Sequence, residues 1–192
     1  MPILASNKYE EIVLAAVKLF EKKGYHATSV QDIADAVGLQ KGSLYHYISG
    51  KEDLLLGVAQ RAITEFNLRM ERILAGEESS QEKMKKAMEM HLGLITHDVQ
   101  LSTVLLRESV ALGEKPQQVV QEATDLYLTL WTRLIEEGIQ RGEFRPGNAR
   151  MTALAVLGAC NWVYRWYQES GTMSSDKVAE IYANVFLDGI AK

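Results

Sequence analysis

Two short apolar stripes separated by a glycine turn constrain the fold of this chain more than any other feature. The first stripe has the spacing of one helix face and ends at Gly38; its members are Val30, Ile33, Ala34 and Val37. A second short helix is predicted from about Gln40 to Tyr47, after a turn of two or three residues. Two short helices joined by such a turn are typical of a helix-turn-helix motif.

Longer helices are predicted on both sides of this motif. The preceding helix is expected to begin at an N-cap formed by Ser6 or Asn7. Thr28 is the predicted N-cap of the first short helix, with Gln31 completing a capping box. A long helix is predicted to follow the motif, near residues 51–74. Further helices are predicted near residues 80–96, 101–111, 117–141, 148–169 and 175–190.

The composition excludes several classes of protein. The 192 residues are 47% hydrophobic with three prolines, which suits a globular helical chain long enough for a proper core. The net charge of -4 gives no bulk attraction to nucleic acid, so such a role would depend on local arrangement. The single cysteine, Cys160, forbids an internal disulfide. The longest apolar run, 151–160, is about half of a membrane span, so a cytoplasmic protein without membrane contact is expected.

The stretch from Val37 to Lys51 contains no acidic residue, although the chain as a whole is acidic. On the predicted helix, Leu44 faces inward and Ile48 follows it, while Gly42 allows close backbone approach. The outward set combines amide, hydroxyl, amine and aromatic groups: Gln40, Lys41, Ser43, Tyr45, His46 and Tyr47. These groups suit base edges and phosphates, which predicts contact with double-stranded DNA. The alternative is an ordinary surface helix whose two tyrosine rings are partly buried.

The sequence from Gly24 to Leu55 resembles the DNA-binding domain of the TetR family of bacterial repressors. The shared motifs are Gly-Tyr, Thr-Ser-Val, Asp-Ile-Ala, Lys-Gly-Ser-Leu-Tyr and Lys-Glu-Asp-Leu-Leu, and the resemblance covers about residues 7–60. It implies that Thr28 and Ser29 meet phosphates. It also implies that Gln40, Lys41 and Ser43 lie near bases or adjacent phosphates, and that Tyr45, His46, Tyr47 and Lys51 hold the DNA backbone. The family often has Phe where this chain has Ile48, a difference that affects core packing.

The resemblance completes the predicted architecture. We expect an all-α protein with an N-terminal three-helix helix-turn-helix DNA-binding domain at residues 1–50. A six-helix ligand-binding and dimerisation domain is expected at residues 51–192. Members of the family are dimers that bind a small effector in the second domain, so a homodimer on a palindromic operator is implied. The helix near residues 51–74 is then the element expected to link effector binding to DNA binding.

The last two predicted helices suit a dimer interface. Residues 152–167 are apolar nearly all round, and small residues there, including Ala155 and Gly158, allow close helix approach. The alternative is that both helices belong to the core of one subunit.

The candidate effector-binding residues are apolar and aromatic side chains with two arginines: Met88, Leu92, Leu105, Arg107, Tyr127, Trp131, Trp162, Arg165 and Trp166. An arginine in apolar surroundings favours a hydrophobic effector with an anionic part. The alternative is a structural Arg165 that stacks on a tryptophan and pairs with a glutamate. Residues 161–167 and the final helix also resemble TetR regulators that sense CoA thioesters of fatty acids or steroid fragments. Asp98 and Glu108 leave open a repressor of an efflux gene that senses multiple drugs or lipophilic cations.

These observations predict a ligand-responsive transcriptional regulator, a repressor released from its operator by a small hydrophobic effector, for which an anionic, acyl-CoA-like compound is one candidate. No cofactor and no metal are expected, since His91 and His97 are six residues apart and no acid or cysteine completes a site. No catalytic triad, P-loop or dinucleotide motif is present in the sequence, so no enzyme activity is expected.

Overall fold

The computed structural model describes residues 3–97, 102 and 114–190, and every regular element in these ranges is helical. The helices in chain order are α1 (Ile3–Lys23), α2 (Val30–Ala36), α3 (Lys41–Leu44), α4 (Lys51–Leu74), α5 (Ser80–His97), α6 (Glu114–Gln140), α7 (Ala149–Trp162) and α8 (Ser175–Ile190). The prediction of an all-α protein is confirmed. The predicted helix at 101–111 lies outside the described residues.

Several helix boundaries differ from the sequence prediction. Helix α1 already begins at Ile3, so the predicted caps Ser6 and Asn7 lie inside it. Helix α3 ends at Leu44, and the chain then turns with hydrogen bonds such as the one from the Tyr47 N–H to the Leu44 carbonyl, at 2.9 Å. Helix α7 ends at Trp162 and tightens into a 3-10 turn, Val163–Arg165, as often occurs at the end of an α-helix.

The cap of α2 is Ser29, one residue later than predicted. The Ser29 hydroxyl accepts a hydrogen bond from the Asp32 N–H at 3.1 Å, and the Asp32 carboxylate accepts one from the Ser29 N–H at 2.8 Å. This reciprocal pair is a capping box, so the prediction of Thr28 and Gln31 is wrong. The Thr28 side chain is buried instead, because its hydroxyl donates to the Gly24 carbonyl oxygen at 2.8 Å. Gly24, with a φ of 82°, ends the preceding segment as a left-handed residue.

The chain divides into two compact units. Of the described residues, one unit contains 3–62, 102 and 114–121, and the other contains 63–97 and 122–190. The predicted domain boundary between residues 50 and 51 stays a prediction. No helix in the described ranges is long and apolar enough to cross a membrane.

The first unit has its own core, formed by α1, α2, α3 and the first turns of α4. Its fully buried side chains include Ile12, Phe20, Ile33, Leu44 and Leu54. Leu44 and Ile48 point inward as the sequence predicts, with exposed fractions of 0% and 3%. Apolar packing of these two side chains therefore fixes the position of the helix that carries the outward residues.

The second unit has a larger core, formed by residues of α5, α6, α7 and α8 with the end of α4. Trp131 on α6 is its largest fully buried side chain. Helix α5 packs against both α7 and α8. Three helices thus converge on a core that contains polar side chains as well as apolar ones, including His91 and Asn67.

Candidate functional site

The surface of α3 and of the turn after it presents most of the residues predicted to contact DNA. Five of the predicted residues are exposed: Gln40, Lys41, Gly42, Tyr45 and His46. Ser43 and Tyr47 are half-buried, and Tyr45 is 48% exposed although its ring is large. The amide, amine, hydroxyl and ring groups of this surface are those that bind phosphates and base edges. We call this set of seven residues the α3 surface; its contact with DNA stays a prediction.

Thr28 and Ser29 are neighbours in the turn before α2, but one side chain is buried and the other is exposed. Thr28 is 1% exposed, and its hydroxyl donates to main-chain carbonyl oxygens of Leu19 and Gly24. Its side chain therefore supports the turn from inside. Ser29 is exposed, and it fixes the first turn of α2 through its capping box.

Asp32 is the acidic residue closest to this turn, and its charge is paired. The Lys23 ammonium donates to its carboxylate at 2.6 Å, and the Ser29 hydroxyl donates to it at 2.6 Å. These hydrogen bonds, the one from Lys23 first, hold the pKa of Asp32 well below its usual range. Because Lys23 is paired with it, the Asp32 carboxylate does not present an isolated negative charge beside the start of α2.

Lys51 lies at the start of α4 and makes contacts inside the protein. Its ammonium donates to the Tyr25 carbonyl oxygen at 2.8 Å and to the Thr28 carbonyl oxygen at 3.2 Å. It also lies 4.3 Å from the centroid of the Tyr25 ring, a cation–π contact. The same amine that was predicted to hold a phosphate therefore joins the start of α4 to the turn before α2.

The predicted effector-binding residues fall into separate groups. Met88, Leu92, Tyr127 and Trp131 lie together in the core of the second unit. Trp162 and Trp166 are 58% and 42% exposed, and Arg165 is exposed as well. The structure therefore does not place these three in the core with the other four. Leu105 and Arg107 lie outside the described residues, as do Asp98 and Glu108.

Arg165 lies against the ring of Trp162, with its guanidinium carbon 5.1 Å from the ring centroid. This is the stacking that the structural alternative requires. The role of Arg165 in holding an anion stays a prediction, and its exposure places that role at a surface rather than in the core.

The most unusual feature of the second unit is a buried histidine, His91, for which the sequence suggests no role other than metal binding. His91 Nδ1 lies 2.9 Å from the Tyr127 hydroxyl, and His91 Nε2 lies 3.1 Å from Asn161 Oδ1. Burial lowers the pKa of His91 to about 4, so the ring is neutral near pH 7. Burial also raises the pKa of the Tyr127 phenol, which therefore stays protonated.

Aromatic rings surround this histidine on several sides. The Phe66 ring lies 5.2 Å from His91 and 5.3 Å from Tyr127, between centroids, in edge-to-face contact. The Trp131 ring lies 6.1 Å from His91. A sequence signal for this arrangement existed, since Met88, His91 and Leu92 share one face of α5, and Tyr127 and Trp131 are four residues apart on α6.

Two protein families match this chain, one over its N-terminal part and one over its C-terminal part. Residues 12–58 match the family described as bacterial regulatory proteins, tetR family, and residues 77–190 match the tetracyclin repressor-like C-terminal domain. The fatty acid metabolism regulator protein of Bacillus subtilis is 30% identical over 152 residues, which are 79% of this chain and 78% of that protein.

Two further comparisons extend over nearly the whole chain. The HTH-type transcriptional repressor KstR2 of Mycolicibacterium smegmatis is 28% identical over 193 residues, covering 100% of this chain and 94% of that protein. The crystal structure of a TetR/AcrR family transcriptional regulator from Thermobifida fusca superimposes with a TM-score of 0.83. It is 30% identical, and the match covers 95% of this chain and 98% of that one.

Proposed function

The chain belongs to the tetR family of bacterial regulatory proteins, and on this premise we propose that it represses genes of fatty-acid or related lipid metabolism until an acyl-CoA-like effector releases it from DNA. As a member of a family of transcriptional regulators, the chain is a DNA-binding regulator and not an enzyme. The observation that carries the proposal is the joint match of both regions to this family, with a fatty acid metabolism regulator as a 30% identical relative. We place its action in the cytoplasm, where bacterial DNA lies.

The α3 surface supports the DNA-binding part of the proposal. The helix that carries these side chains is anchored in the core by the buried Leu44. Asp32, at the start of α2, is paired with Lys23, so the surface offers hydrogen-bond donors without an unpaired carboxylate nearby. We assign direct DNA contact to the α3 surface and Ser29. Thr28 and Lys51 are assigned a positioning role, because their polar groups bind main-chain carbonyl oxygens inside the unit.

The outer faces of α7 and α8 support a homodimer. Each helix buries one face in the core of the second unit, represented by Val156 and Val178, and leaves apolar side chains exposed on another. The exposed side chains are Met151, Leu154, Trp162, Ile181 and Val185, with exposed fractions from 41% to 65%. Met151 and Leu154 are three residues apart, and Ile181 and Val185 are four apart, so each pair lies on one helix face. Contiguous exposed apolar residues mark an interaction surface. A second copy of the chain, related by two-fold symmetry, would cover both faces and match a palindromic operator.

The test is release of the protein from DNA. A duplex selected from a random pool by the purified protein is labelled, and binding is followed by fluorescence anisotropy with decanoyl-CoA, free CoA or tetraphenylphosphonium added. We expect release by decanoyl-CoA alone. Release by the cation alone would instead support the alternative of a multidrug-sensing repressor. The variant Lys41→Ala with Tyr45→Ala should abolish binding, while Lys85→Ala, an exposed lysine on α5, should leave it unchanged.

A further inference from the structure

A buried polar network in the second unit has hydrogen-bonding capacity that its neighbours do not use. We call it the His91 cluster; it consists of His91, Tyr127, Trp131 and Asn161. These residues come from α5, α6 and α7, so three helices place them together. His91 and Trp131 are 3% and 0% exposed, and Tyr127 is 4% exposed.

The protons of the network can be assigned from its geometry. A neutral imidazole carries one N–H, and Asn161 Oδ1 is only an acceptor, so Nε2 of His91 donates to it. His91 Nδ1 is then an acceptor, and the Tyr127 hydroxyl donates to it. The network therefore fixes the orientation of the Tyr127 hydroxyl. The imidazole has both nitrogens occupied and offers no site to an incoming group.

Trp131 supplies the unused donor. Its indole N–H lies near the Tyr127 hydroxyl, but it has no partner in hydrogen-bond geometry within the described part of the chain. A buried N–H without an acceptor is unfavourable, because folding removes its hydrogen bonds to water and no protein hydrogen bond replaces them. A ligand oxygen that accepted a hydrogen bond from the indole N–H would remove this free-energy cost.

Because the cluster is uncharged, it favours an uncharged oxygen acceptor over an anionic one. The polar members of the cluster are the neutral His91, the protonated Tyr127 and the Asn161 amide, and the Phe66 ring packs against the first two. None of them carries a charge that could balance a carboxylate or a phosphate in a buried site. An uncharged carbonyl oxygen, which accepts hydrogen bonds without a counter-charge, fits the chemistry.

We propose that the N–H of Trp131, whose ring packs edge-to-face against His91 and Tyr127, binds an uncharged carbonyl oxygen in the acyl part of the effector. This inference rests on the proposed function and adds the polar contact that an apolar core alone would lack. The carbonyl has two possible sources, the thioester group or a keto group on the chain. The anionic part of the effector then binds elsewhere than at this cluster.

The test compares ligands that differ in one carbonyl. Binding of decanoyl-CoA, S-decyl-CoA and 9-oxodecanoyl-CoA is measured by isothermal titration calorimetry. S-decyl-CoA has a methylene in place of the thioester carbonyl, and 9-oxodecanoyl-CoA carries an additional keto group. If the thioester carbonyl is bound, decanoyl-CoA should bind about tenfold tighter than S-decyl-CoA. If a chain keto group is bound, the 9-oxo compound should bind about tenfold tighter than decanoyl-CoA.

Variants attribute the preference to the cluster. Trp131→Phe should reduce the preferred ratio to near one, since phenylalanine lacks the indole N–H. Tyr167→Phe is the matched control, because Tyr167 is half-buried in the same unit and outside the cluster. A merely structural role of Trp131 would weaken all three ligands equally and leave the ratios unchanged.

The failures are distinguishable. Tight binding of all three ligands with ratios near one would overturn the inference and leave the proposed effector class intact. A preference that survives Trp131→Phe would also overturn it. Absence of binding by every CoA compound would overturn the proposed effector class, and the inference with it.

Discussion

Replacing Lys51 by methionine distinguishes an internal contact from a phosphate contact. Methionine keeps the length of the aliphatic stem and removes the ammonium that donates to the Tyr25 and Thr28 carbonyl oxygens. A hydrogen bond from a charged donor contributes about 1.5–3 kcal/mol, and Lys51 is half-exposed, so each bond here is worth less than that range. We expect a total loss of about 2 kcal/mol in the free energy of unfolding.

The assay that separates the two roles is the salt dependence of DNA binding. A lysine that neutralises one phosphate contributes about 0.9 to the slope of log K against log salt concentration. Lys51→Met should leave this slope unchanged and weaken binding at every salt concentration, because the turn before α2 is less well held. Lys41→Met is the matched control, since Lys41 is exposed on α3, and it should lower the slope by about one.

The opposite pattern would refute the reasoning. If Lys51→Met lowered the salt slope as much as Lys41→Met and left the unfolding free energy unchanged, the ammonium would be a phosphate ligand in the DNA complex. Urea unfolding followed by circular dichroism supplies the stability value for each variant. Comparing both readouts on the same protein preparations prevents a partly unfolded sample from imitating weak DNA binding.

Two further predictions concern the buried groups. The pKa of His91 in the folded protein, about 4, lies below its unfolded value of 6.5, so the unfolded chain binds more protons between these values. Urea titrations at several pH values should show unfolding free energy falling by about 3 kcal/mol from this residue as pH drops from 6.5 to 4, and His91→Gln should remove that contribution. Gly57→Ala should destabilise the first unit by about 1–3 kcal/mol, because the added Cβ would lie 2.8 Å from the Tyr9 hydroxyl and 2.9 Å from Val13 Cγ2. Thermal melts should show that Tyr9→Phe recovers part of the loss, and an unchanged melting temperature for Gly57→Ala would contradict this packing.

The helix-turn-helix could be predicted from the sequence because its information is local. The stripe that includes Ile33 and Val37, and the inward direction of Leu44, depend only on helical spacing and on glycine. The cap was misplaced by one residue because Thr28 and Ser29 are both good caps by type. Only the fold shows that the Thr28 hydroxyl is already occupied by the Gly24 carbonyl oxygen.

Contacts between distant segments could not be predicted in the same way. Lys51 lies 26 residues from the Tyr25 carbonyl that it binds, and its charge alone equally suits a phosphate. His91 meets Asn161, 70 residues away, and no spacing rule pairs them. The separation of Trp162 from Trp131 has the same origin, since both are aromatic residues on helices and only packing decides which one is buried.

The α3 surface depends on the core beneath it for its position. A helix of four residues has no stability of its own in water, because nucleation costs more than so few hydrogen bonds return. The position of α3 therefore comes from Leu44 and Ile48 in the core, and Lys51 fixes the turn before α2 from the start of α4. Changes on the exposed side should alter DNA affinity alone, whereas changes to these supporting residues should alter affinity and stability together. That difference makes unfolding measurements a necessary companion to every DNA-binding measurement on this surface.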